Sequence, residues 1–512
     1  MSDDEETRPS AGEAFASPQE AQDAPRWENP EGYARMRAVL ARADYTQAGV
    51  DAALGAHGVH GVEASNEARW LRDTRQVSPL HTLLRLFLLG VPVEAQAATQ
   101  ALEPMTLTEW VEAGLLCRTA GDQVAAKVHL MPLNDLMLAY DFARPGAEGM
   151  RVDHVMGVGS SSLTLANLTV RRPCRAALDL GTGCGVQAFL TAAHSERVTA
   201  LDRNPRAIRI ATFNAQLNDL GNVSCLEGDL FAPVQGRTFD LVVANPPFVI
   251  SPTRDYIYRD SGLPADQICR RIVREVPALL EEGGYCQILC NWAHVAGQNW
   301  RERLLEWFQG IGCDAWVLRC ETHDAATYAT TWIQHTERRP EREQARQFDA
   351  WMDYYEAERI EAVSAGVIAL RKRTGSENWF RAEDGPPRML GPSGDYVDRC
   401  FRLGDFLDTM EDPARLLDQP LCVSPDVLLE TRLAPAADGW TVDASRLRLM
   451  RGMAYEETLS PEMATLVAQS RAGLKPNALL EKPGSAPPEF VAELRRLIAR
   501  GFLLPVAEKE AG

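Results

Sequence analysis

From residue 174 onward, short apolar runs alternate with stretches of helical periodicity, and this alternation constrains the fold more than any other feature. It is typical of βαβ units, whose parallel strands share one sheet. Because the crossovers are right-handed, the carboxyl ends of the strands lie along one edge, where α/β folds bind ligands. We therefore expect an α/β domain with seven strands, at residues 176–180, 198–202, 223–226, 239–244, 285–290, 315–319 and 366–371.

Composition divides the whole chain into four segments. Residues 1–28 are acidic and rich in Ser, Ala and Pro, which predicts a disordered tail. Residues 29–148 form a first domain and residues 149–380 the α/β domain. Pro and Gly become frequent after it, and residues 381–512 are predicted to form a C-terminal α+β domain, for which a degenerate winged helix is one interpretation.

The first domain reads as three helices followed by a hairpin. Its predicted elements are helices at 80–89, 93–102 and 106–113 and strands at 114–117 and 124–130. This order resembles a winged-helix module, and a small helical cap on the α/β domain is the alternative.

Late in the α/β domain, charges of both signs alternate over residues 337–361 around Trp351, Tyr354 and Tyr355. Such a pattern predicts an exposed helix, either solvated or serving as a lid.

The bulk composition excludes some classes of protein. The longest apolar stretch, residues 83–93, is too short to span a bilayer, so no membrane association is expected. The eleven cysteines lack a paired Cys-x-x-Cys framework, which favours a reducing cytoplasm and predicts no metal site. The net charge of −18 disfavours non-specific attraction to nucleic acid, although a local basic groove stays possible.

A glycine-rich turn, Asp179-Leu180-Gly181-Thr182-Gly183-Cys184-Gly185, follows the first predicted strand and opens the first helix. Glycine there permits tight dihedral angles and a close backbone approach to a ligand, so a nucleotide-type cofactor is expected. The dinucleotide fingerprint requires a third glycine three residues after the second, but that position is Val186. The motif therefore disfavours a nicotinamide cofactor.

The segment Asn245-Pro246-Pro247-Phe248 follows the fourth predicted strand. The Asn245 side-chain oxygen and the Pro246 carbonyl can accept both N–H bonds of a planar amine, which localises a lone pair that is otherwise delocalised. The prolines stiffen the turn, and Phe248 offers a face for stacking. The alternative is an ordinary turn at the end of a strand.

Together, the glycine turn and Asn-Pro-Pro-Phe resemble the "small domain" type of class I S-adenosylmethionine-dependent methyltransferases. That family, with a Rossmann-like seven-stranded sheet, includes release-factor glutamine methyltransferases and ribosomal-RNA guanine N2 methyltransferases. The resemblance covers residues 150–330 and implies S-adenosylmethionine as cofactor, with Asn245, Pro246, Pro247 and Phe248 as the catalytic segment. It implies that the cofactor is bound by Asp179, Gly181, Thr182, Gly183, Gly185, Asp202, Arg203, Asp229, Leu230 and Asn245.

The three acids have different expected roles. Asp202 ends the second strand, where the family's acid accepts hydrogen bonds from both ribose hydroxyls, and a carboxylate suits a vicinal diol. Asp229 matches the family's contact with the adenine edge. Asp179 is expected to orient the glycine turn or the cofactor's amino group rather than to transfer a proton.

The acceptor side is less specific. Phe248 replaces the tyrosine usual in the glutamine-modifying branch and resembles the RNA-modifying branch, which often carries a histidine where this chain has Val249. Arg254, Tyr258 and Arg259 are candidate substrate residues, because Arg and Tyr can bind phosphate and base; packing and pairing with acids is the alternative. Ser160-Ser161-Ser162 is predicted to close over the cofactor or to cap a helix.

We therefore expect an N-methyltransferase that acts on an exocyclic amine of a nucleobase in RNA, with the terminal domains docking the RNA. The alternatives are methylation of a glutamine amide in a translation protein, methylation of a small-molecule amine, and regulation by a cofactor-binding DNA reader. The last requires basic residues on a recognition helix, and residues 93–113 contain no Arg or Lys. The oligomeric state stays open.

Overall fold

The computed structural model describes residues 24–55, 67–142, 150–336, 341–375, 377–386, 389–437, 439–469, 473–480 and 486–506. They form two compact units. The first comprises Met1–Leu165 and Pro173–Ala382, and the second comprises Ala166–Arg172 and Glu383–Gly512.

The predicted tail, residues 1–28, lies outside the described residues except for 24–28. These five residues do not continue a tail, because Ala24 is buried and the Trp27 ring meets that of Trp110 edge to face at 6.2 Å. The first unit therefore begins earlier than predicted, through aromatic packing onto its N-terminal helices.

The N-terminal part of the first unit contains more helices than predicted. Those at Pro30–Arg42 and Gln47–Leu54 begin at side-chain caps, where Asn29 Oδ1 accepts from the Glu31 N–H and Thr46 Oγ1 from the Gly49 N–H. The elements of this part are helices α1 (Pro30–Arg42), α2 (Gln47–Leu54), α3 (Glu67–Asp73), α4 (Pro79–Leu83), α5 (Ala95–Leu102) and α6 (Leu107–Glu112) and strands β1 (Val93–Glu94), β2 (Leu116–Thr119), β3 (Gln123–Ala126), β4 (Val128–Leu133) and β5 (Leu136–Asp141).

Two predictions for this part need correction. The predicted helix 80–89 is α4 continued by one π-helical turn, Leu84–Leu88. The predicted strand 124–130 is two strands, because β3 ends at Ala126 and β4 begins at Val128 with a different partner strand. β3 then pairs with β1 and β2, whereas β4 pairs with β5.

The α/β part confirms the predicted fold class. All seven predicted strands belong to one sheet of eight strands. From one edge to the other, the strands are Phe380–Asp384 (β13), Cys313–Asp324 (β11), Ile360–Lys372 (β12), Leu280–Val295 (β10), Phe239–Ala244 (β9), Cys174–Leu180 (β6), Ser195–Asp202 (β7) and Val223–Glu227 (β8). The edge strand β13 (Phe380–Asp384) is an eighth strand, which the sequence did not predict. The chain order is α7 (Ser160–Leu168), β6 (Cys174–Leu180), α8 (Val186–Ala192), β7 (Ser195–Asp202), α9 (Pro205–Leu217), β8 (Val223–Glu227), β9 (Phe239–Ala244), α10 (Gln267–Glu275), β10 (Leu280–Val295), α11 (Trp300–Phe308), β11 (Cys313–Asp324), α12 (Ala325–Thr336), α13 (Glu341–Ala357) and β12 (Ile360–Lys372).

The register of the parallel strands defines the edge that carries the site. Leu180 pairs with Leu201 and with Ala244, so β6, β7 and β9 end at the same level. Ile288 also pairs with Ala244, and β10 continues beyond that level to Val295. β12 runs antiparallel to both β10 and β11 along this extension.

Helices α12 and α13 pack against the extended strands. Tyr328 and Ile333 of α12 join Trp351 and Tyr355 of α13 in one buried cluster with Val363 of β12. The prediction of an exposed helix at 337–361 is therefore wrong for its aromatic face, because burying Trp351 and Tyr355 removes a large apolar area from water. The charged residues lie around that face and produced the amphipathic pattern.

The second unit contains three small sheets and four helices among its described residues. The sheets pair β14 (Met389–Leu390) with β18 (Gly452–Met453), β15 (Leu421–Val423) with β20 (Leu503–Pro505), and β16 (Val427–Ala436), β17 (Gly439–Leu449) and β19 (Glu456–Leu459) in that order. The helices are α14 (Gly394–Asp408), α15 (Pro413–Leu417), α16 (Pro461–Gln469) and α17 (Pro488–Ala499). The Ser460 hydroxyl caps α16 by accepting from the Met463 N–H. The winged-helix interpretation stays a prediction.

No helix in the part of the chain that the structure describes is long and apolar enough to cross a bilayer.

Candidate active site

The glycine turn lies at the carboxyl end of β6 and approaches the segment after β9. Gly181 has φ of 75°, and a Cβ added there would stand 3.2 Å from the Asn245 carbonyl oxygen. A side chain at position 181 would therefore push the two segments apart. The turn and Asn-Pro-Pro-Phe consequently line one cleft.

Asp179 lies beneath this turn and is not part of the cleft lining. Its Oδ2 accepts hydrogen bonds from the Thr182 hydroxyl at 2.6 Å and from the Ala188 N–H at 3.0 Å, while its Oδ1 has no hydrogen-bond partner. Burial raises the pKa of Asp179 to about 7. These contacts connect the turn to α8, so Asp179 orients the turn.

Asp202, at the end of β7, lines the cleft. Each of its two carboxylate oxygens accepts one backbone N–H. Oδ2 accepts from the Gly183 N–H at 2.9 Å and Oδ1 from the Asn204 N–H at 2.8 Å. Burial raises the pKa of Asp202, and these two N–H groups oppose that rise. Each oxygen retains lone-pair capacity for one more donor, which is what a vicinal diol requires.

Asp229 and Leu230 line the cleft after β8, the strand next to β7. Asp229 is exposed, and the neighbouring Gly228 N–H donates to the Asp202 carbonyl at 2.9 Å. This hydrogen bond holds the two acid-bearing loops side by side. Thr182 and Gly183 also line the cleft, whereas Gly185 caps α8 outside it.

Residues 245–249 line the cleft, and because they are predicted to hold the methyl acceptor, we call this part of it the acceptor side. Asn245 and Phe248 are half-buried, so each keeps part of its surface open to the cleft. The Phe248 ring packs against the buried cluster of α12 and α13 as well as the main core of the sheet. Its position is thus fixed by packing from two sides.

Arg203 and Arg259 both line the cleft, and both also hold the neighbouring loop in place. Arg203 donates to the carbonyls of Ile257, Asp260 and Ser261 at 2.8 to 3.3 Å. Arg259 is buried, and its guanidinium binds the Asp260 carboxylate at 2.8 Å and the Thr253 hydroxyl at 2.7 Å. Both therefore shape the segment 251–261.

The remaining two predicted substrate residues differ in position. Tyr258 lines the cleft, and its ring lies 5.6 Å from that of His154. Arg254 is exposed and lies outside the lining, so the structure does not bring it to the site.

Several residues that line the cleft were not predicted from the sequence. The segment His154–Gly157 is held in place by the Val155 N–H, which donates to Asp141 Oδ2 at 2.9 Å, and Asp141 forms a buried ion pair with Arg206. Gln187 of α8 donates to the carbonyl of Ser162, so the predicted serine segment does reach the cleft through Ser161 and Ser162. Trp332 of α12 lines it too. No local sequence signal marks these positions, since each depends on contacts between distant elements.

The residues present fit a nucleoside-type methyl donor. A Cβ added at Gly183, where φ is 55°, would meet no protein atom within 4 Å, which leaves room for a ligand against the backbone. Asp202 offers two acceptors for a ribose diol. Within the described residues, no group of three or more His, Cys, Asp and Glu side chains is placed to hold a metal ion.

Family models match three parts of the chain. Residues 152–309 match the methyltransferase small domain, and residues 42–127 and 398–505 each match a domain of unknown function, DUF7059 and DUF7782 respectively. The first match contains the glycine turn, the acids and Asn-Pro-Pro-Phe.

Three relatives are similar to part of the chain. A putative protein N5-glutamine methyltransferase of Methanocaldococcus jannaschii is 34% identical over 119 residues, 22% of this chain and 59% of that protein. The release factor glutamine methyltransferase of Escherichia coli is 33% identical over 138 residues, 24% of this chain and 48% of that protein. The ribosomal RNA small subunit methyltransferase C of Alcanivorax borkumensis is 34% identical over 115 residues, 22% of this chain and 31% of that protein.

The similarity thus spans between about a third and three fifths of each relative and less than a quarter of this chain. Both the family match and the relatives agree with the geometry of the cleft. Residues 152–309 of this chain are a methyltransferase small domain of the S-adenosylmethionine-dependent class.

Proposed function

We propose that this protein is an S-adenosylmethionine-dependent N-methyltransferase and that its acceptor is an exocyclic amine of a nucleobase in RNA. The observation that carries the proposal is the meeting of two elements in one cleft. Gly181 of the cofactor turn approaches the Asn245 carbonyl so closely that an added Cβ would stand 3.2 Å from it. A donor held by the turn therefore lies next to a residue suited to hold an amine.

The proposed chemistry depends on how the amine is held. The Asn245 side-chain oxygen and the Pro246 carbonyl accept the two N–H bonds, which localises the nitrogen lone pair and directs it into the cleft. S-adenosylmethionine, when bound, supplies an electrophilic methyl group on a positively charged sulfur. Asn245 and Pro246 would hold the nitrogen towards that methyl group, S-adenosylhomocysteine would be the leaving group, and the N–H proton that the nitrogen loses would pass to water. No strong base is required before the transfer.

In the proposed cofactor site, Asp202 accepts from the ribose hydroxyls and Asp229 contacts the adenine edge. Thr182, Gly183 and Leu230 border the same space. Gly181 allows the turn to approach the amine-binding segment, and Asp179, below the turn, fixes its shape through Thr182 and Ala188.

Aromatic residues on the acceptor side support a nucleobase. Phe248 and Tyr258 both line the cleft, and base rings stack on such side chains when proteins read single-stranded RNA. We further propose that the two segments matching domains of unknown function dock the RNA.

All eleven cysteines are free thiols, which supports a reducing compartment such as the cytoplasm.

A second candidate acceptor is a glutamine amide in a translation protein. It is favoured by the names of two relatives, which are glutamine methyltransferases. A carboxamide also presents a flat NH2 group, so Asn245 and Pro246 suit it as well.

The test is to incubate the purified full-length protein and methyl-labelled S-adenosylmethionine with lysate from a strain that lacks the gene. The labelled product is then treated separately with nuclease and with protease. Release of the label by nuclease alone supports the proposal, and release by protease alone favours the amide. Label that enters only small molecules contradicts both, and absence of transfer by a protein that binds the cofactor supports a regulator.

A further inference from the structure

We propose that Trp332 is a specificity-determining residue, which forms with Phe248 an aromatic slot for the ring of the acceptor base. This inference rests on the proposed function and deepens it, because it assigns the recognition of a planar ring to a residue outside the methyltransferase small domain. Trp332 lies on α12, beyond the matched range of residues 152–309.

Trp332 reaches the cleft because the sheet continues past the level at which β9 ends. β10, β11 and β12 extend beyond Ala244, and α12 follows β11 directly. Trp332 is half-buried, lines the cleft and packs with Phe248 against the same buried cluster. Two aromatic side chains from separate elements therefore border the acceptor side.

Tyr328 fixes the position of both walls of the slot. Its ring lies 6.2 Å from that of Trp332, one helical turn later on α12. Its hydroxyl oxygen accepts from the Ile250 N–H at 3.3 Å and from Asn291 Nδ2 at 2.7 Å. Ile250 is two residues beyond Phe248, so one buried side chain connects the Trp332 wall to the segment that carries Phe248.

The chemistry of the slot favours a ring over an aliphatic amide. Pro247, Val249 and Ile268 add apolar surface to the cleft, and the Asp260 carboxylate neutralises Arg259, so the lining suits the faces of a neutral base rather than its phosphates. Stacking on aromatic side chains contributes more binding energy to a base ring than to a glutamine amide, whose planar group is smaller. The Asn245 oxygen and Pro246 carbonyl would then select the exocyclic amine at the ring edge.

The first measurement does not depend on methyl transfer. A single-stranded RNA oligonucleotide that contains one 2-aminopurine is titrated with full-length protein saturated with S-adenosylhomocysteine, and the fluorescence of the base is recorded. Stacking on an aromatic side chain quenches this fluorescence, so the wild-type protein and Trp332→Phe are expected to quench it. Trp332→Leu is expected to lose the quenching while its affinity for S-adenosylhomocysteine, measured by calorimetry, stays at the wild-type value.

The second measurement follows label transfer to total RNA over a range of RNA concentrations. Loss of one stacking face costs about 1 to 3 kcal/mol, so Trp332→Leu is expected to raise KM about tenfold or more with a smaller change in kcat. Trp332→Phe is expected to restore KM. The matched control is Trp379→Leu, which removes a half-buried tryptophan outside the cleft lining and outside both segments proposed to dock the RNA, and it should change neither readout.

The outcomes separate the two proposals. Wild-type transfer to RNA with unchanged quenching and KM in Trp332→Leu would overturn the slot and leave the proposed function standing. Absence of quenching by the wild-type protein would overturn the slot as well. Label that enters protein alone would overturn the proposed function, and the slot with it.

Discussion

The hydroxyl of Tyr355 donates a hydrogen bond of 2.8 Å to the carbonyl of Ile250, two residues after Phe248. The N–H of the same Ile250 donates to Tyr328 on its other side. Both tyrosines are buried, and they come from α13 and α12 respectively. The backbone behind Asn-Pro-Pro-Phe is thus held by two helices that follow the matched methyltransferase domain in sequence.

Removing the Tyr355 hydroxyl should loosen this support. Tyr355→Phe deprives the Ile250 carbonyl of its hydrogen bond, and we expect a loss of about 1 to 3 kcal/mol in the free energy of unfolding. Because the acceptor segment would shift, kcat should also fall while the affinity for S-adenosylmethionine stays unchanged. Urea denaturation, steady-state kinetics and calorimetry measure the three quantities.

The matched control is Tyr354→Phe. The Tyr354 hydroxyl accepts from the Ala265 N–H at 2.8 Å and does not contact the segment after Phe248. Its loss should leave kcat unchanged, and an equal fall in kcat for both variants would contradict a specific role for Tyr355.

Asn245→Ala should abolish most of the transfer without affecting the cofactor. It removes one of the two acceptors that hold the amine, and a misplaced acceptor group costs on the order of 100-fold in kcat. Single-turnover transfer of labelled methyl and calorimetry with S-adenosylmethionine separate the two effects. Asn222→Ala removes an amide that binds the Ala192 and Ser195 carbonyls outside the cleft, so it serves as the matched control with unchanged kcat. Undiminished transfer by Asn245→Ala would refute the amine-holding role.

Asp202→Asn should weaken cofactor binding about 10- to 100-fold, because it removes the charge from the acceptor of two ribose hydroxyls. In addition, both carboxylate oxygens already accept a backbone N–H, so the new amide group must point its hydrogens at a donor. Asp229→Asn should cost less, since Asp229 is exposed. Calorimetric titration with S-adenosylmethionine gives both constants, and equal losses would assign Asp202 no special role.

Comparing Gly183→Ala with Gly236→Ala separates the loss of ligand binding from the cost of backbone strain. At both Gly183 and Gly236, φ is positive and an added Cβ meets no protein atom within 4 Å, but only Gly183 lines the cleft. Each substitution should therefore cost about 1 kcal/mol of stability. Gly183→Ala alone should also weaken the binding of S-adenosylmethionine. Equal cofactor affinity in the two variants would place the ligand elsewhere.

The sheet could be predicted from the sequence because its signals are local. Apolar runs of the right length mark the strands, and the acids and glycines follow them directly at the carboxyl edge. Asp202 and Asn245 reached the cleft for this reason. The long antiparallel extension and β13 add no comparable local signal.

The acceptor side could be predicted only in part, since it depends on distant contacts. Arg259 was predicted to bind phosphate, but the neighbouring Asp260 neutralises its charge inside the loop. The order of charges along the chain does not reveal which side chain turns inward. Trp332 was missed because the sequence gives its helix no link to the cleft. That link is made by Tyr328 through Ile250.

The pH dependence of stability should report the burial of Asp179. Its pKa is raised from the ordinary value of 3.8 to about 7 in the folded protein, mainly by burial, so the folded state holds the proton more tightly than the unfolded state. The contribution of protonated Asp179 to the free energy of unfolding is fully present below the unfolded pKa and is lost as the pH rises towards 7. Asp179→Asn retains an oxygen for Thr182 and Ala188 and does not ionise. Between about pH 4 and pH 8, the free energy of unfolding of the wild type should therefore fall by on the order of 3 kcal/mol relative to that of Asp179→Asn. Urea denaturation without cofactor measures both. A difference between the two proteins that stays constant over this range would mean that Asp179 ionises normally and that a cation or water already satisfies its Oδ1.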